Sequence, residues 1–105
     1  MGQMEFDRII HQPVRTRIVA FLAKHGPTDY VTLRDQLGLS DGHMTTHMRE
    51  LIGAEYVRFE KEFVDNKKPR TTYKLNATGR KRFAAYREVL KKLVEDRTNR
   101  RAEAV

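Results

Sequence analysis

The chain has 105 residues, with 21 Lys and Arg against 14 Asp and Glu for a net charge of +7, and no cysteine. That length predicts one domain over residues 1–105, and the lack of cysteine excludes disulfides, thiol nucleophiles and thiolate metal sites and suits a reducing compartment. The longest apolar run, Ile18 to Ala23, is too short to cross a bilayer, and Met1 to Glu5 lacks the basic start and apolar stretch of a signal peptide, so the expectation is a soluble cytoplasmic protein with no membrane partner.

In chain order, Phe6, Ile9 and Ile10 give one apolar side to a short first helix. Pro13 suits the first turn of a second helix, because its missing N–H has no helical partner there, and Val14, Ile18, Phe21 and Leu22 follow at helical spacing. His25-Gly26-Pro27 ends it. Tyr30, Leu33 and Leu37 form the buried edge of a two-turn helix, and Gly38 can take the left-handed conformation that a sharp turn requires. Ser40 then caps a further helix, with Asp41 placed well for the helix dipole.

On that helix Met44, Met48, Leu51 and Ile52 share one side at the 3.6-residue period. Gly42, Thr46 and Arg49 lie opposite, with His43, Thr45 and Glu50 at the margins. These are short donors and acceptors, where a merely solvated face would carry lysine and glutamate. Such a surface approaches base edges closely: threonine offers a hydroxyl and a methyl, and arginine pairs bidentately with guanine. The two helices about Gly38, over about residues 30–54, form a helix-turn-helix pattern, which presents the second helix to the major groove of DNA.

From Tyr56 the period changes to two. Val57, Phe59 and Phe63 mark a strand, residues 65 to 69 a loop, and Thr71 to Leu75 a returning strand, so that a basic hairpin spans about 56–76. Asn76 caps a long last helix to about residue 97, with Phe83, Tyr86, Leu90 and Leu93 at spacings of three and four and Val89 and Val94 widening the stripe. The earlier helices already supply a core, so this broad apolar side calls for a second copy. The predicted interface joins Phe6, Ile9 and Ile10 to Phe83, Tyr86, Val89, Leu90, Leu93 and Val94. The fold class is mainly α with a small β-hairpin (α+β), having five helices in all.

The runs Pro13-Val14-Arg15-Thr16-Arg17-Ile18, Ser40 to Leu51, and Lys68-Pro69-Arg70-Thr71-Thr72-Tyr73-Lys74-Leu75 with Gly79-Arg80 resemble the short winged-helix transcriptional regulators of the ArsR/MarR-like group, over about residues 6–95. The resemblance implies a winged helix-turn-helix with N-terminal and C-terminal dimerisation helices and a homodimeric repressor or activator on a palindromic operator. Ser40 to Arg49 match the recognition helix, Asn66 to Arg70 the wing, and the helix after Asn76 the dimer helix. The sequence departs at Ala54-Glu55-Tyr56, where the family has a glycine; a non-glycine residue in the left-handed conformation costs roughly 1 kcal/mol, so this helix is expected to end differently, using Gly53.

The candidate DNA-binding residues are thus Ser40, Asp41, Gly42, His43, Thr45, Thr46 and Arg49 on the recognition helix, and Asn66, Lys67, Lys68 and Arg70 in the wing. His43 and His47 have a metal-ligand spacing, yet Met44 stands where a zinc peptidase has its glutamate and a third ligand is lacking, so no metal is expected. Neither a nucleophile with an orienting histidine nor a phosphate-cradling glycine loop occurs, so neither catalysis nor a cofactor is expected. The expected partners are double-stranded DNA, a second copy of the chain and an unidentified small-molecule effector. Two rival readings are an architectural protein that coats DNA without sequence preference and a winged helix that docks on another protein.

Overall fold

The structure, a computed structural model, describes residues 5–64 and 68–104, with the backbone alone for Val64 and for residues 96–104. Its elements are α1 (Pro13–His25), β1 (Thr28–Asp29), α2 (Tyr30–Leu37), α3 (Asp41–Gly53), β2 (Val57–Val64), β3 (Lys68–Leu75) and α4 (Ala77–Ala104). The strands form an antiparallel sheet in the order β1-β3-β2. Ile18, Val19 and Leu22 of α1, Leu33 of α2, and Met44, Met48 and Leu51 of α3 close over the base of that sheet, where Val57, Tyr73 and Leu75 are buried. No helix among the described residues is long and apolar enough to cross a membrane.

The expected first helix is absent. Residues 5–12 form a strap of turns in which the Asp7 carboxylate oxygen Oδ1 accepts from the Ile9 and Ile10 N–H groups at 2.8 and 3.1 Å. Gln12, forced away from the helical region by Pro13, is extended at φ −151° and ψ 128°. Its side chain instead caps α1, accepting from the Arg15 N–H at 2.8 Å. The apolar spacing of Phe6, Ile9 and Ile10 is spent on the protomer's own core, where Ile10 is 0% exposed.

Both ends of the helix-turn-helix use one capping geometry. After α2, the Gly38 N–H donates to the Asp35 carbonyl at 3.2 Å and the Leu39 N–H to that of Arg34 at 3.0 Å, with Gly38 left-handed at φ 63°. After α3, the Glu55 N–H donates to Ile52 at 2.9 Å and the Tyr56 N–H to Leu51 at 3.0 Å, and Glu55 takes the left-handed position at φ 64°. The helix does run to Gly53, but the strained residue is Glu55, where the sequence expectation placed the turn on glycine. Burial of Leu51 and Tyr56, which flank the motif, holds it closed, and the Asn76 amide donates to the Glu55 carbonyl at 3.0 Å. Glu55→Gly is expected to raise stability by about 0.5 to 1 kcal/mol, read as a higher urea midpoint at unchanged slope; a lower midpoint would show that the glutamate side chain contributes more than its backbone costs.

Tyr56 ties the strap to this corner by donating its hydroxyl to Asp7 Oδ2 at 2.7 Å. Burial first, and the Asp7 hydrogen bond second, push its hydroxyl pKa up to about 12 from 10.0. A raised folded-state value means that the neutral hydroxyl stabilises the fold fully below pH 10 and that this stability is lost as pH rises towards 12. Tyr56→Phe is expected to cost about 1.5 kcal/mol at neutral pH. The deficit should shrink at alkaline pH in parallel urea titrations; a deficit independent of pH would place the whole effect in packing.

Candidate nucleic-acid interface

The exposed side of α3 is built from its N-cap outward. Ser40 Oγ accepts from the His43 N–H at 3.1 Å, so the helix starts where the turn from α2 ends. Asp41 Oδ1 accepts from the Tyr30 hydroxyl at 2.6 Å and from Arg34 Nη1 at 3.0 Å. The Tyr30 hydroxyl, then the Arg34 guanidinium, hold the Asp41 carboxyl below its usual range. Exposed as it is, the ion pair adds little stability. Its effect is geometric: it fixes α3 against α2 and offsets a negative charge at the start of α3. Gly42, His43, Thr45, Thr46 and Arg49 are all exposed, while Met44, Met48 and Leu51 face the core.

His47 points elsewhere. Arg15 Nη1 lies 3.2 Å from its Nδ1, and because arginine only donates, that ring nitrogen accepts. Burial first, then the Arg15 charge, lowers the His47 pKa and keeps the ring neutral at physiological pH. Arg15 also donates from Nε to the Ile9 carbonyl at 2.6 Å, so one side chain joins the strap, α1 and α3. The His43 and His47 rings are 6.3 Å apart, and no group of three or more His, Asp or Glu side chains suited to a metal occurs among the described residues.

The hairpin stands beside α3, and its register sorts its side chains. Val57 pairs with Leu75, Phe59 with Tyr73, Lys61 with Thr71, and Phe63 with Pro69. Because side chains alternate across a strand, these residues share the face turned to α3, while Arg58, Glu60, Glu62, Arg70, Thr72 and Lys74 share the outer face. Between α3 and the hairpin runs an open apolar groove of about 480 Å³, lined by Thr45, Met48, Arg49 and Ile52 on one side and by Phe59, Lys61, Thr71 and Tyr73 on the other.

Two of the expected wing residues, Asn66 and Lys67, lie outside the described residues. Lys68 belongs to β3, where a loop was expected, as does Arg70, which pairs with Glu62 on the outer face. The sequence reading passed over Lys61, Phe59 and Thr71 as residues lining the groove beside α3, and the signal was available in the two-residue alternation of β2 once its partner strand is known.

The expected dimer residues divide. Ile10 at 0% and Tyr86 at 5% exposure are core residues of the protomer, with Tyr86 sharing a 2.8 Å hydrogen bond between its hydroxyl and His11 Nδ1, so neither has area left for a partner. Phe6, Ile9 and Phe83 pack against that core, and Phe6 stacks on His11 at 4.3 Å. Val89 is half-buried, and Leu90, Leu93 and Val94 show 37, 37 and 61% of their surface to solvent along α4.

Comparison with known proteins agrees with this geometry. A transcriptional regulator homologue from Pyrococcus horikoshii OT3 superposes with a TM-score of 0.80 at 24% identity, over 86% of this chain and 88% of that one. NadR in complex with 4-hydroxyphenylacetate superposes with a TM-score of 0.66 at 26% identity, over 92% of this chain and 64% of NadR, and overoxidized AbfR bound to DNA with 0.72 at 18% identity, over 92% and 70%. No curated protein matches the sequence. A family profile described as a winged helix DNA-binding domain matches residues 14–94. The four helices and three-stranded sheet are thus a winged helix, and the chain belongs to the winged helix DNA-binding domain family.

Proposed function

We propose that this chain is a homodimeric, sequence-specific transcriptional regulator that represses by occupying its operator. The observation that carries the reading is the exposed side of α3, where Gly42, His43, Thr45, Thr46 and Arg49 form a surface of small polar groups and one guanidinium. That surface fits base edges in the major groove, with Thr45, Thr46, His43 and Arg49 reading bases. Ser40, Lys67, Lys68 and Arg70 then hold phosphates, which fix register without reading sequence. The net charge of +7 favours a polyanion.

A second copy docks along α4, where Val89, Leu90, Leu93 and Val94 present apolar surface. The dimer helices then set the separation of the two recognition helices, matching a palindrome with half-sites about one helical turn apart. AbfR in its complex with DNA and NadR in its complex with 4-hydroxyphenylacetate support a DNA partner and a small-molecule effector respectively. A DNA-reading repressor of this kind works in the cytoplasm.

The deciding experiment is selection of bound sequences from a random duplex library, followed by salt-dependent affinity for the winner and for a scrambled control. A palindromic winner bound at least ~10³-fold more tightly than the control is expected. Equal binding to both would give the architectural reading, and binding to neither at low salt would give a protein-docking module.

A further inference from the structure

Phe63 is an expensive residue to leave where it is. It lies near the end of β2 with 74% of its surface in solvent, and Phe59, four residues back on the same face, shows 46%. The cross-strand neighbour of Phe63 is Pro69, also exposed, so the outer part of the hairpin ends in an apolar pair on the face turned to α3. β1 pairs with β3 at Thr72 and Tyr73, so Pro69 lies on a stretch of β3 with β2 alone as its described neighbour, an edge position of the kind where proline occurs.

Charge identifies what this face meets. Both acidic residues with described side chains on the hairpin, Glu60 and Glu62, lie on the outer face, while the inner face carries Lys61 between Phe59 and Phe63 and looks across the groove to Arg49. Among the described residues the charged side chains on this face are cations, and an apolar pair in that company is matched to a polyanion with an apolar interior, which describes the base stack of duplex DNA. Phe63 lies four residues beyond Phe59, or about 13 Å farther along the hairpin at 3.3 Å per residue.

We propose that Phe63, supported by Pro69, is a wedge that enters the minor groove beside each half-site and partly unstacks one base step, bending the duplex. The inference rests on the DNA-binding reading above. Apolar side chains of this kind kink DNA by opening a step towards the major groove, and the cost is least at flexible pyrimidine–purine steps. The wedge therefore adds sequence preference at a position that α3 never touches.

The test uses the full chain and a duplex of about 30 base pairs chosen by the library selection, long enough for both half-sites. 2-Aminopurine is placed at each step in turn, donor and acceptor dyes mark the ends, and binding is followed separately by anisotropy. The wild-type chain is expected to brighten 2-aminopurine at one step per half-site and to shorten the end-to-end distance. Phe63→Leu should keep both signals. Phe63→Ala should lose both while still binding, at an affinity reduced by about tenfold or less and with an unchanged urea midpoint. Equal brightening and bending by Phe63→Ala and wild type, or no bright step with wild type bound, would overturn the wedge while leaving DNA binding intact. Loss of dimerisation by Phe63→Ala would overturn it in favour of a protein contact, and failure of the wild-type chain to bind any duplex would overturn the DNA-binding reading itself.

Discussion

Gly79→Ala is expected to cost roughly 3 kcal/mol or more, a large share of what holds a domain of this size together. A Cβ at position 79 would stand 2.2 Å from the Tyr56 carbonyl oxygen and 2.9 Å from its carbon, closer than atoms approach without something shifting. The obstacle is backbone and has no rotamer to change. That same oxygen accepts from the Asn76 N–H at 2.9 Å, so moving it would break the link between the end of the sheet and the start of α4. Urea unfolding monitored by far-UV circular dichroism would read the loss, and a midpoint within error of wild type would refute the close approach. Gly42→Ala is the matching control, since a Cβ there meets only Ser40 Oγ at 4.0 Å. It should leave stability unchanged or slightly raised, because alanine suits a helix better than glycine.

Arg49→Ala is the second large effect and acts on binding. Arg49 is exposed on α3 at the edge of the groove that faces the hairpin, so its removal should leave the urea midpoint where it was. Affinity for the selected operator should fall by about 1 to 3 kcal/mol, with relaxed preference at one base position, if the guanidinium reads a base. Equal weakening on operator and scrambled duplex would instead make it a phosphate contact. The two variants separate cleanly: one removes the fold's anchorage for α4 and the other removes an exposed guanidinium from an intact fold.

Much of this architecture was legible from local chemistry. Pro13, Gly38 and Ser40 mark element ends because each solves a backbone problem that few residues solve, and they stand at those ends in the structure. The strap was misread because Phe6, Ile9 and Ile10 recur at helical spacing, and spacing cannot distinguish a helix from a turn pinned by Asp7. β1 was missed because two residues carry no periodicity; Thr28 and Asp29 become a strand only through pairing with Tyr73 and Thr72. Glu55 shows long-range packing overruling a local preference, with Leu51 and Tyr56 closing the motif. The exposed polar side of α3 was readable from one helix alone. The sorting of Lys61 and Phe63 from Glu60 and Glu62 required the register of two strands.

The linkage through Arg15 bears on torsional phase. Its guanidinium holds the Ile9 carbonyl in the strap and His47 in α3, and the same strap grips α4 through the hydrogen bond between His11 and Tyr86. α3 therefore has no independent swivel about α4. Each base pair inserted between half-sites turns one of them by about 34° around the duplex axis, given 10 to 10.5 base pairs per turn. A protomer braced in this way cannot follow that rotation by bending within itself, so the compliance needed to accept a misphased operator has to come from the DNA or from the contact between copies.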